Sequence, residues 1–251
     1  MQRTVVVMPC YNEAARLDAD ALLAATRAWP MLSFVLVDDG SSDGTGDLLR
    51  SLQAAAPHAF ELVFLAKNRG KAEAVRLGML AAFASSPVLA GYFDADLATP
   101  LAEIEPMTKY FDDARVHLVM GSRVKLLGRN VSRSPLRHYL GRVFASSASV
   151  ILGLEVYDTQ CGAKLFRNTP SMRTLFERPF AVTWTFDVEL LARLAALAAQ
   201  GGVPAPQQSV VEHPLAEWRD VSGSKLRPDA ALRAVAELAR IRRKYPPSKR
   251  G

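Results

Sequence analysis

The fold is decided by the stretch Phe34-Val35-Leu36-Val37-Asp38-Asp39-Gly40-Ser41, in which an apolar strand ends abruptly in two carboxylates and a glycine turn. Four more apolar runs on either side of this stretch have strand length. These runs are Thr4–Met8, Glu61–Leu65, Val88–Phe93 and Val116–Met120. The segments between them have helical, Ala- and Leu-rich patterns: Asp18–Trp29, Thr45–Ala55, Lys71–Ser85 and Leu101–Asp113. Such alternation predicts an α/β protein with a mostly parallel sheet flanked by helices.

The pattern changes after Arg123, where the elements are spaced less regularly. The predicted elements are a helix at Leu136–Ile151, a strand at Ala163–Phe166, a helix at Asp187–Ala199, a strand at Ser209–Glu212, a polar loop at Trp218–Lys225 and a final helix at Asp229–Lys244. No linker or internal repeat separates the two parts. We therefore expect one domain over residues 1–251, with a first half, 1–123, and a second half, 124–251.

Composition limits the classes of function. The 251 residues are 49% hydrophobic, enough to bury one substantial core. Lys and Arg outnumber Asp and Glu by 31 to 25, and the net charge of +6 favours nucleotide phosphates, nucleic acid or an anionic membrane surface as partners. Aromatic residues do not cluster on a basic face, which argues against nucleic acid. Two isolated cysteines, Cys10 and Cys161, predict a reducing compartment.

A membrane span is not expected from this sequence. The longest uncharged run, Leu77–Phe93, is interrupted by Ser85, Ser86 and Pro87, so it indicates a helix end followed by a strand. The apolar residues Val5–Val7 lead directly into Pro9 and not into a cleavage site, so no secretory signal is expected either.

Polar side chains follow three of the predicted strands. The first strand is followed by Pro9-Cys10-Tyr11-Asn12-Glu13, the second by Asp38-Asp39-Gly40-Ser41 and the fourth by Asp94-Ala95-Asp96. The carboxyl ends of parallel strands meet at one edge of a sheet, where α/β proteins bind ligands. Carboxylates gathered there repel one another unless a cation lies between them. Mg²⁺ or Mn²⁺ bound to a diphosphate would supply that cation.

Two other phosphate-binding motifs are incomplete. Gly70-Lys71 lacks the upstream glycine and the following Ser or Thr of a P-loop, and Gly44-Thr45-Gly46 lacks the third glycine of the dinucleotide fingerprint. The basic segment Lys67–Lys71 precedes a predicted helix, so it is either an anion site at the helix N-terminus or a solvated loop.

One motif is compatible with a different reaction class. Gly40-Ser41-Ser42-Asp43-Gly44 fits the nucleophile-elbow pattern G-x-S-x-G, and Asp187 and His213 follow it in the order of α/β serine hydrolases with Ser42 as nucleophile. This alternative leaves Asp94-Ala95-Asp96 without a role. It also lacks an HGGG-like oxyanion segment upstream of the elbow.

Four motifs together resemble family 2 glycosyltransferases, which implies the GT-A fold with its Rossmann-like, mostly parallel sheet. They are Val7-Met8-Pro9-Cys10-Tyr11-Asn12-Glu13, Val37-Asp38-Asp39-Gly40-Ser41-Ser42-Asp43-Gly44-Thr45, Asn68-Arg69-Gly70-Lys71 and Asp94-Ala95-Asp96. Asp158-Thr159-Gln160-Cys161-Gly162-Ala163-Lys164-Leu165-Phe166 and the loop from Trp218 to Leu226 resemble, more narrowly, dolichyl-phosphate glucosyltransferases and their bacterial polyprenyl-phosphate relatives. The resemblance implies a metal-dependent hexosyltransferase that uses UDP-glucose, or less favourably GDP-mannose. Residues 1–123 would bind the nucleotide sugar and residues 124–251 would form the acceptor side.

The resemblance also implies roles for individual residues. It assigns nucleotide-sugar binding to Pro9, Tyr11, Glu13, Val37, Asp39, Lys71, Asp94, Ala95, Asp96, Arg123, Arg219 and Lys225. In that set Asp39 would face the base, and Asp96 with Asp94 would ligate Mg²⁺ or Mn²⁺. Ala98 stands where relatives of the mannose synthases often carry a glutamine as a further metal ligand.

The acceptor remains open between two classes. The resemblance places the acceptor phosphate at Arg133, Ser134 and Arg137, and it places Asp187 where the wider family has its acidic base. A lipid phosphate is already ionised, so Asp187 would only orient substrate. A soluble or glycan hydroxyl needs a general base, which Asp187 would provide. The structural alternative for Asp187 is an N-cap of the following helix.

A lipid acceptor implies a membrane surface. The predicted helix at Leu136–Ile151 has an apolar stripe beside basic residues, and the final helix carries Leu232, Val235, Leu238 and Ile241 before a basic end. We expect peripheral association with the cytoplasmic face of a membrane through these helices. The alternative is that both stripes pack on the core.

Overall fold

The elements are given by a computed structural model, which describes residues 2–132, 135–219 and 230–246, without the side chains of 135–140 and 230–232. The described strands are β1 (Thr4–Cys10), β2 (Leu32–Asp38), β3 (Phe60–Phe64), β4 (Leu89–Phe93), β5 (Leu118–Ser122), β6 (Asn130–Ser132), β7 (Ala163–Arg167), β8 (Val210–Pro214) and β9 (Glu217–Arg219). The described α-helices are α1 (Ala19–Ala28), α2 (Thr45–Ala55), α3 (Lys71–Ala84), α4 (Ile104–Lys109), α5 (Pro135–Leu152), α6 (Pro170–Glu177), α7 (Phe186–Ala199), α8 (Pro206–Ser209) and α9 (Ala230–Lys244).

Seven strands form one sheet in the order β3-β2-β1-β4-β7-β5-β8. All neighbouring pairs are parallel except those of β7, which runs antiparallel to both β4 and β5. The prediction of a mostly parallel sheet is therefore confirmed, and strands from both halves of the chain join it. In the β4–β7 pair, Tyr92 lies directly opposite Lys164. A separate two-stranded sheet pairs β6 with β9.

Helices cover both faces of the large sheet. Helices α3, α5, α6, α7 and α9 contribute buried side chains to one core, and α1, α2 and α4 contribute to the other. Gly78 allows α3 to approach the sheet closely, since a β-carbon there would lie 2.7 Å from Val37 Cγ2. The close packing fixes α3, and thereby Lys71 at its first position, against the ends of β1 and β2.

The structure differs from the predicted elements in several places. The predicted helix at Leu101–Asp113 is divided into a 3₁₀ turn at Leu101–Glu103, α4 and a second 3₁₀ turn at Tyr110–Asp112. Pro106 lies in the first turn of α4, where its missing N–H is tolerated. The predicted loop from Trp218 begins inside β9, and β6, α6 and α8 were not predicted at all. Both β6 and β9 have only three residues, too few for a periodic pattern.

Both predicted amphipathic helices pack on the core, and each leaves some apolar side chains exposed. In α9, Leu238 and Ile241 are buried in the core while Val235 is exposed, so the stripe expected to face lipid packs mainly on the protein. In α5, Phe144, Ala148 and Leu152 pack on the core, while Val143 and Val150 are exposed. No helix within the described residues is long and apolar enough to cross a membrane.

Candidate active site

A cavity of about 330 Å³ opens where β1, β2 and β4 end. Eight of the residues predicted to bind a nucleotide sugar line it. They are Pro9, Tyr11, Glu13, Asp39, Lys71, Asp94, Ala95 and Asp96. The carboxyl edge of a parallel sheet thus brings together side chains that are up to 87 residues apart in sequence, between Pro9 and Asp96.

The loops that follow β1 and β2 are braced against each other by hydrogen bonds. The Asn12 backbone N–H donates to Ser41 Oγ (3.0 Å), and the Ser42 N–H donates to Asn12 Oδ1 (2.9 Å). One step further along, the Glu13 N–H donates to Thr45 Oγ1 (2.8 Å). The polar residues of these two motifs therefore bond mainly to each other, and they shape the wall of the cavity.

Asp39 connects the same wall to the loop before α3. Its two carboxylate oxygens accept hydrogen bonds from the backbone N–H groups of Arg69 (2.7 Å) and Gly70 (2.8 Å). Burial raises the pKa of Asp39 above its ordinary value, although these two donors act in the opposite direction. The neighbouring Gly40 has a φ of +68°, and a β-carbon there would lie 2.5 Å from the Lys67 carbonyl carbon, so only glycine fits.

Asp94, Lys71 and Asp96 form the charged floor of the cavity. The Lys71 ammonium pairs with Asp94 Oδ1. Burial lowers the pKa of Lys71, but the negative charges of Asp94 and Asp187 outweigh it, so that the pKa lies above its ordinary value. Asp96 Oδ1 accepts a hydrogen bond from the Ala98 N–H (3.0 Å). Burial, together with the charge of Asp94, raises the pKa of Asp96.

Asp94 has no space to move towards β7. A β-carbon on Gly162 would overlap the Asp94 carboxylate, and the Asp94 N–H donates to the Gly162 carbonyl (2.9 Å). Gly162 belongs to the segment that resembles polyprenyl-phosphate enzymes, and its role here is to leave room for a carboxylate of the cavity.

Asp187 lies behind this floor and is not an N-cap. Its Oδ1 accepts hydrogen bonds from the Tyr92 hydroxyl and from Lys164 Nζ (2.6 Å). Lys164 is fully buried and also donates to the carbonyls of Thr159 (3.0 Å) and Cys161 (2.7 Å). Burial raises the pKa of Tyr92 well above its ordinary value, so it donates as a neutral hydroxyl. Tyr92 and Lys164, which lie opposite each other on β4 and β7, thus both donate hydrogen bonds to one carboxylate oxygen of Asp187.

The N-terminus of α7, which carries Asp187, is held by a residue that the sequence did not single out. Glu237 of α9 accepts hydrogen bonds from the backbone N–H groups of Thr183, Trp184 and Thr185, and from both threonine hydroxyls (2.8 to 3.4 Å). A carboxylate at this position also compensates the positive end of the helix dipole. No local motif announces this contact, because its partners are more than 50 residues apart.

Other predicted cations lie away from the cavity lining. Arg123 pairs with Asp158 through two hydrogen bonds of 2.7 Å and lies over the Trp218 ring. The exposed Arg219 side chain pairs with Glu217, while its backbone N–H donates to the Ala98 carbonyl (3.1 Å). That bond brings the end of β9 beside Asp96.

The remaining predicted residues have diverse placements. Val37 is fully buried, and its side chain packs towards α3 instead of lining the cavity. Arg137 lies on α5, but its side chain is outside the described set, and Arg133, Ser134 and Lys225 are outside the described residues altogether. Their roles stay predictions.

The family model for glycosyl transferase family 2 matches residues 5–174, which include β1 to β7 and the cavity. The chain belongs to glycosyl transferase family 2. The match ends before α7 and α9, so Asp187 and Glu237 lie beyond it.

Curated relatives within this family are dolichyl-phosphate β-glucosyltransferases. One from Trichomonas vaginalis is 32% identical, with 95% of this chain and 70% of the relative covered. The human enzyme is 30% identical, with 96% of this chain and 75% of the relative covered. The chain is therefore similar to these enzymes over nearly all of its own length.

Solved structures confirm the GT-A fold. Mycobacterium tuberculosis glucosyl-3-phosphoglycerate synthase, in complex with Mn²⁺ and UDP-glucose, superposes with a TM-score of 0.66 at 18% identity, covering 100% of this chain and 81% of that one. A Pyrobaculum calidifontis mannosyltransferase in complex with GDP-mannose and Mn²⁺ gives 0.64 at 19% identity; this chain is 97% covered and spans 64% of the mannosyltransferase.

The hydrolase alternative is wrong. Family membership contradicts it, and the three residues do not meet in space. Ser42 follows β2 and His213 lies on β8, five strand positions away, which is about 24 Å at ~4.8 Å per strand. His213 bonds instead to Glu103 (2.9 Å), and Asp187 bonds to Lys164.

We expect Gly162→Ala to weaken binding of UDP strongly, by at least about tenfold, because the new β-carbon must displace the Asp94 carboxylate. Gly44→Ala is the control, since a β-carbon there meets only the Ala14 side chain at 3.8 Å. Isothermal titration calorimetry with UDP measures the effect. Equal affinities of the Gly162 variant and the original protein would show that Asp94 has room to move.

We expect Lys164→Met to lower the free energy of unfolding by about 3–5 kcal/mol, because Asp187 would keep a buried charge without its cation. Adding Asp187→Asn should recover part of that loss, since the uncompensated charge is then removed. The exposed Lys109 supplies the control, Lys109→Met, with an expected change below about 0.5 kcal/mol. Urea unfolding gives the values. A Lys164 variant as stable as its control would contradict the ion-pair assignment.

Proposed function

We propose that this family 2 glycosyltransferase moves a hexose, namely glucose from UDP-glucose, to a polyprenyl or dolichyl phosphate. The choice of a phosphate acceptor rests on the hydrogen bonds that Asp187 accepts. Both Tyr92 and Lys164 donate to its Oδ1, which ties the carboxylate to the protein. A hydroxyl acceptor needs a general base within reach of its proton. A phosphate acceptor is already ionised and needs none.

The donor is assigned from the cavity and from the relatives. The cavity offers the buried Asp39 near one wall and the Lys71 ammonium at the floor, a combination suited to a nucleoside diphosphate. The curated relatives carry the name of glucosyltransferases, which favours UDP-glucose over GDP-mannose as the donor of this chain.

A divalent cation, Mg²⁺ or Mn²⁺, fits the floor of the cavity. Asp94 and Asp96 supply hard oxygen donors; burial, with a smaller contribution from the charge of Asp94, raises the pKa of Asp96, and a bound cation would offset both effects. No cluster of three or more possible metal ligands occurs in the described part of the chain, so Asp94 and Asp96 would hold the ion together with the donor diphosphate. The ion would supply charge neutralisation of the leaving diphosphate.

We infer a single displacement with inversion from the resemblance to family 2 glycosyltransferases. An acceptor phosphate oxygen would attack C1 of the glucose, and the bond from C1 to the UDP oxygen would break. Lys71 lies at the floor of the cavity, where it would neutralise part of the charge that grows on the departing UDP. Arg219, Lys225 and Arg123 were predicted to assist, and Arg219 is brought near by its backbone bond to Ala98.

The acceptor places the reaction at a membrane surface. We assign the protein to the cytoplasmic face as a peripheral protein, where its net charge of +6 favours anionic lipid. The two unpaired, buried cysteines fit a reducing compartment. The exposed Val143 and Val150 of α5 suit the interfacial role predicted for that helix.

The function is tested by incubating the protein with radiolabelled UDP-glucose and three acceptors: a polyprenyl phosphate in detergent, the matching polyprenol and a water-soluble alkyl glucoside. We expect glucose to appear on the polyprenyl phosphate alone, with GDP-mannose a poor donor. The matched polyprenol isolates the contribution of the phosphate. Faster transfer to either hydroxyl acceptor would overturn the assignment and would make Asp187 the general base.

We expect Asp96→Asn to reduce transfer by at least about 100-fold and to abolish the gain in UDP affinity that Mn²⁺ gives, because an amide is a poor ligand for a hard cation. Asp112→Asn is the control, since Asp112 is an exposed carboxylate at the end of the second 3₁₀ turn. Calorimetric titration with UDP, in MnCl₂ or in EDTA, distinguishes a loss of metal binding from a loss of folded protein. Full activity in EDTA would contradict the metal site.

A further inference from the structure

An exposed pair of leucines lies outside the site described above. Leu126 is 47% exposed and Leu127 is 104% exposed, whereas no other large hydrophobic side chain in the described residues exceeds 72%. The Arg129 N–H donates to the Leu126 carbonyl (3.2 Å), and Gly128 has a φ of +78°. These features define a β-turn with glycine at the third position, as in type II turns, and Leu127 at the second. The turn therefore presents Leu127 at its apex.

The leucine turn, residues 126–129, is fixed to the core on one side. It leads directly into β6, whose Asn130 N–H donates to the Ala216 carbonyl (2.8 Å). The next residue, Val131, is buried and pairs with Trp218 of β9. The exposure of the leucines is thus a property of an anchored turn.

Charge surrounds the leucines in a specific pattern. Lys125 precedes them and Arg129 follows them, and both side chains are exposed. Apolar side chains flanked by cations are typical of segments that enter the interface of an anionic bilayer. A soluble partner with an apolar pocket would not need both cations.

The turn also lies close in sequence to the acceptor side. Strand β6 separates it from Arg133 and Ser134, which were predicted to bind the acceptor phosphate. Three extended residues span roughly 10 Å. The layer of lipid headgroups is of similar depth, about 5–8 Å on each side of the hydrocarbon core. The length of β6 is therefore comparable to the depth of the headgroup layer.

We propose that Leu126 and Leu127 insert into the surface of an anionic lipid bilayer, and that Lys125 and Arg129 contact its headgroups. This inference rests on the proposed lipid-phosphate acceptor for its purpose. It goes further by naming the segment that enters the bilayer. It also gives the cavity a fixed orientation relative to the bilayer surface. The turn leads directly into β6, which pairs with β9, the strand that ends in Arg219.

The test compares Leu127→Gln with Val88→Gln in flotation with vesicles of 30% anionic lipid. Val88 is also exposed (45%), but it precedes β4 and so lies at the opposite edge of the sheet. We expect Leu127→Gln to weaken partitioning by about 10- to 100-fold, since burial of one leucine is lost, and Val88→Gln to leave it unchanged. Equal partitioning of the two variants would overturn the proposal.

A second measurement reports insertion directly. Leu127→Cys and Val88→Cys are each labelled with an environment-sensitive fluorophore, while the native Cys10 and Cys161 are buried. A blue shift on adding vesicles is expected for the label at 127 alone. A shift on mixing with unlabelled protein, without lipid, would show a second copy as the occupant and would contradict the proposal.

Activity distinguishes this inference from the proposed function. With a short-chain, water-soluble polyprenyl phosphate, Leu127→Gln should transfer as fast as the original protein; with a long-chain acceptor in vesicles it should be slower. Transfer that is equal with both acceptors would contradict the leucine insertion and leave the function intact. Vesicle binding that depends on Leu127, without transfer to any lipid phosphate, would contradict the function and leave the insertion intact.

Discussion

Negative charge is concentrated at one edge of the parallel sheet, and this concentration determines which groups the surrounding loops and strands must supply. Because β1, β2 and β4 run in the same direction, their carboxyl ends place several carboxylates around one cavity of about 330 Å³. Buried charges are costly unless they have partners. Each neighbouring loop or strand therefore supplies a hydrogen-bond donor or a cation to one of these carboxylates.

The partners divide the carboxylates into two groups. Asp39, in the wall of the cavity, is held by two backbone N–H groups, and Asp187 is held by a buried ammonium and a phenol, so both have fixed partners within the protein. Asp94 and Asp96 face the cavity, and Lys71 is the cation paired with Asp94. An incoming diphosphate adds negative charge to this second group, which is why a divalent ion belongs to the proposed mechanism and why it would sit with Asp94 and Asp96.

The sequence predicted the features that depend on local pattern, and it missed those that depend on register and docking. Apolar runs that end in polar motifs identified β1, β2 and β4, and with them seven of the eight cavity residues; the eighth, Lys71, belongs to the motif Asn68-Arg69-Gly70-Lys71 before α3. The ion pair between Lys164 and Asp187 depends on the antiparallel pairing of β7 with β4. The hydrogen bonds of Glu237 to the N-terminus of α7 depend on the packing of α9 against α7. One signal was present: Lys164 lies inside an apolar strand, where a lysine needs a buried anion.

Ala98 has no side chain that could ligate a metal, but its backbone still connects Asp96 to the end of β9. Ala98 donates its N–H to Asp96 and accepts the N–H of Arg219, so its backbone alone joins the proposed metal ligand to the end of β9. Glu103 fixes the same segment from the other side, by accepting the N–H groups of Ala216 and Glu217. The two hydrogen bonds of Ala98 are made by its backbone, so they do not depend on the side chain at position 98. An alanine where some relatives have glutamine therefore removes one possible ligand, but it leaves intact the link through which Arg219 is held beside Asp96.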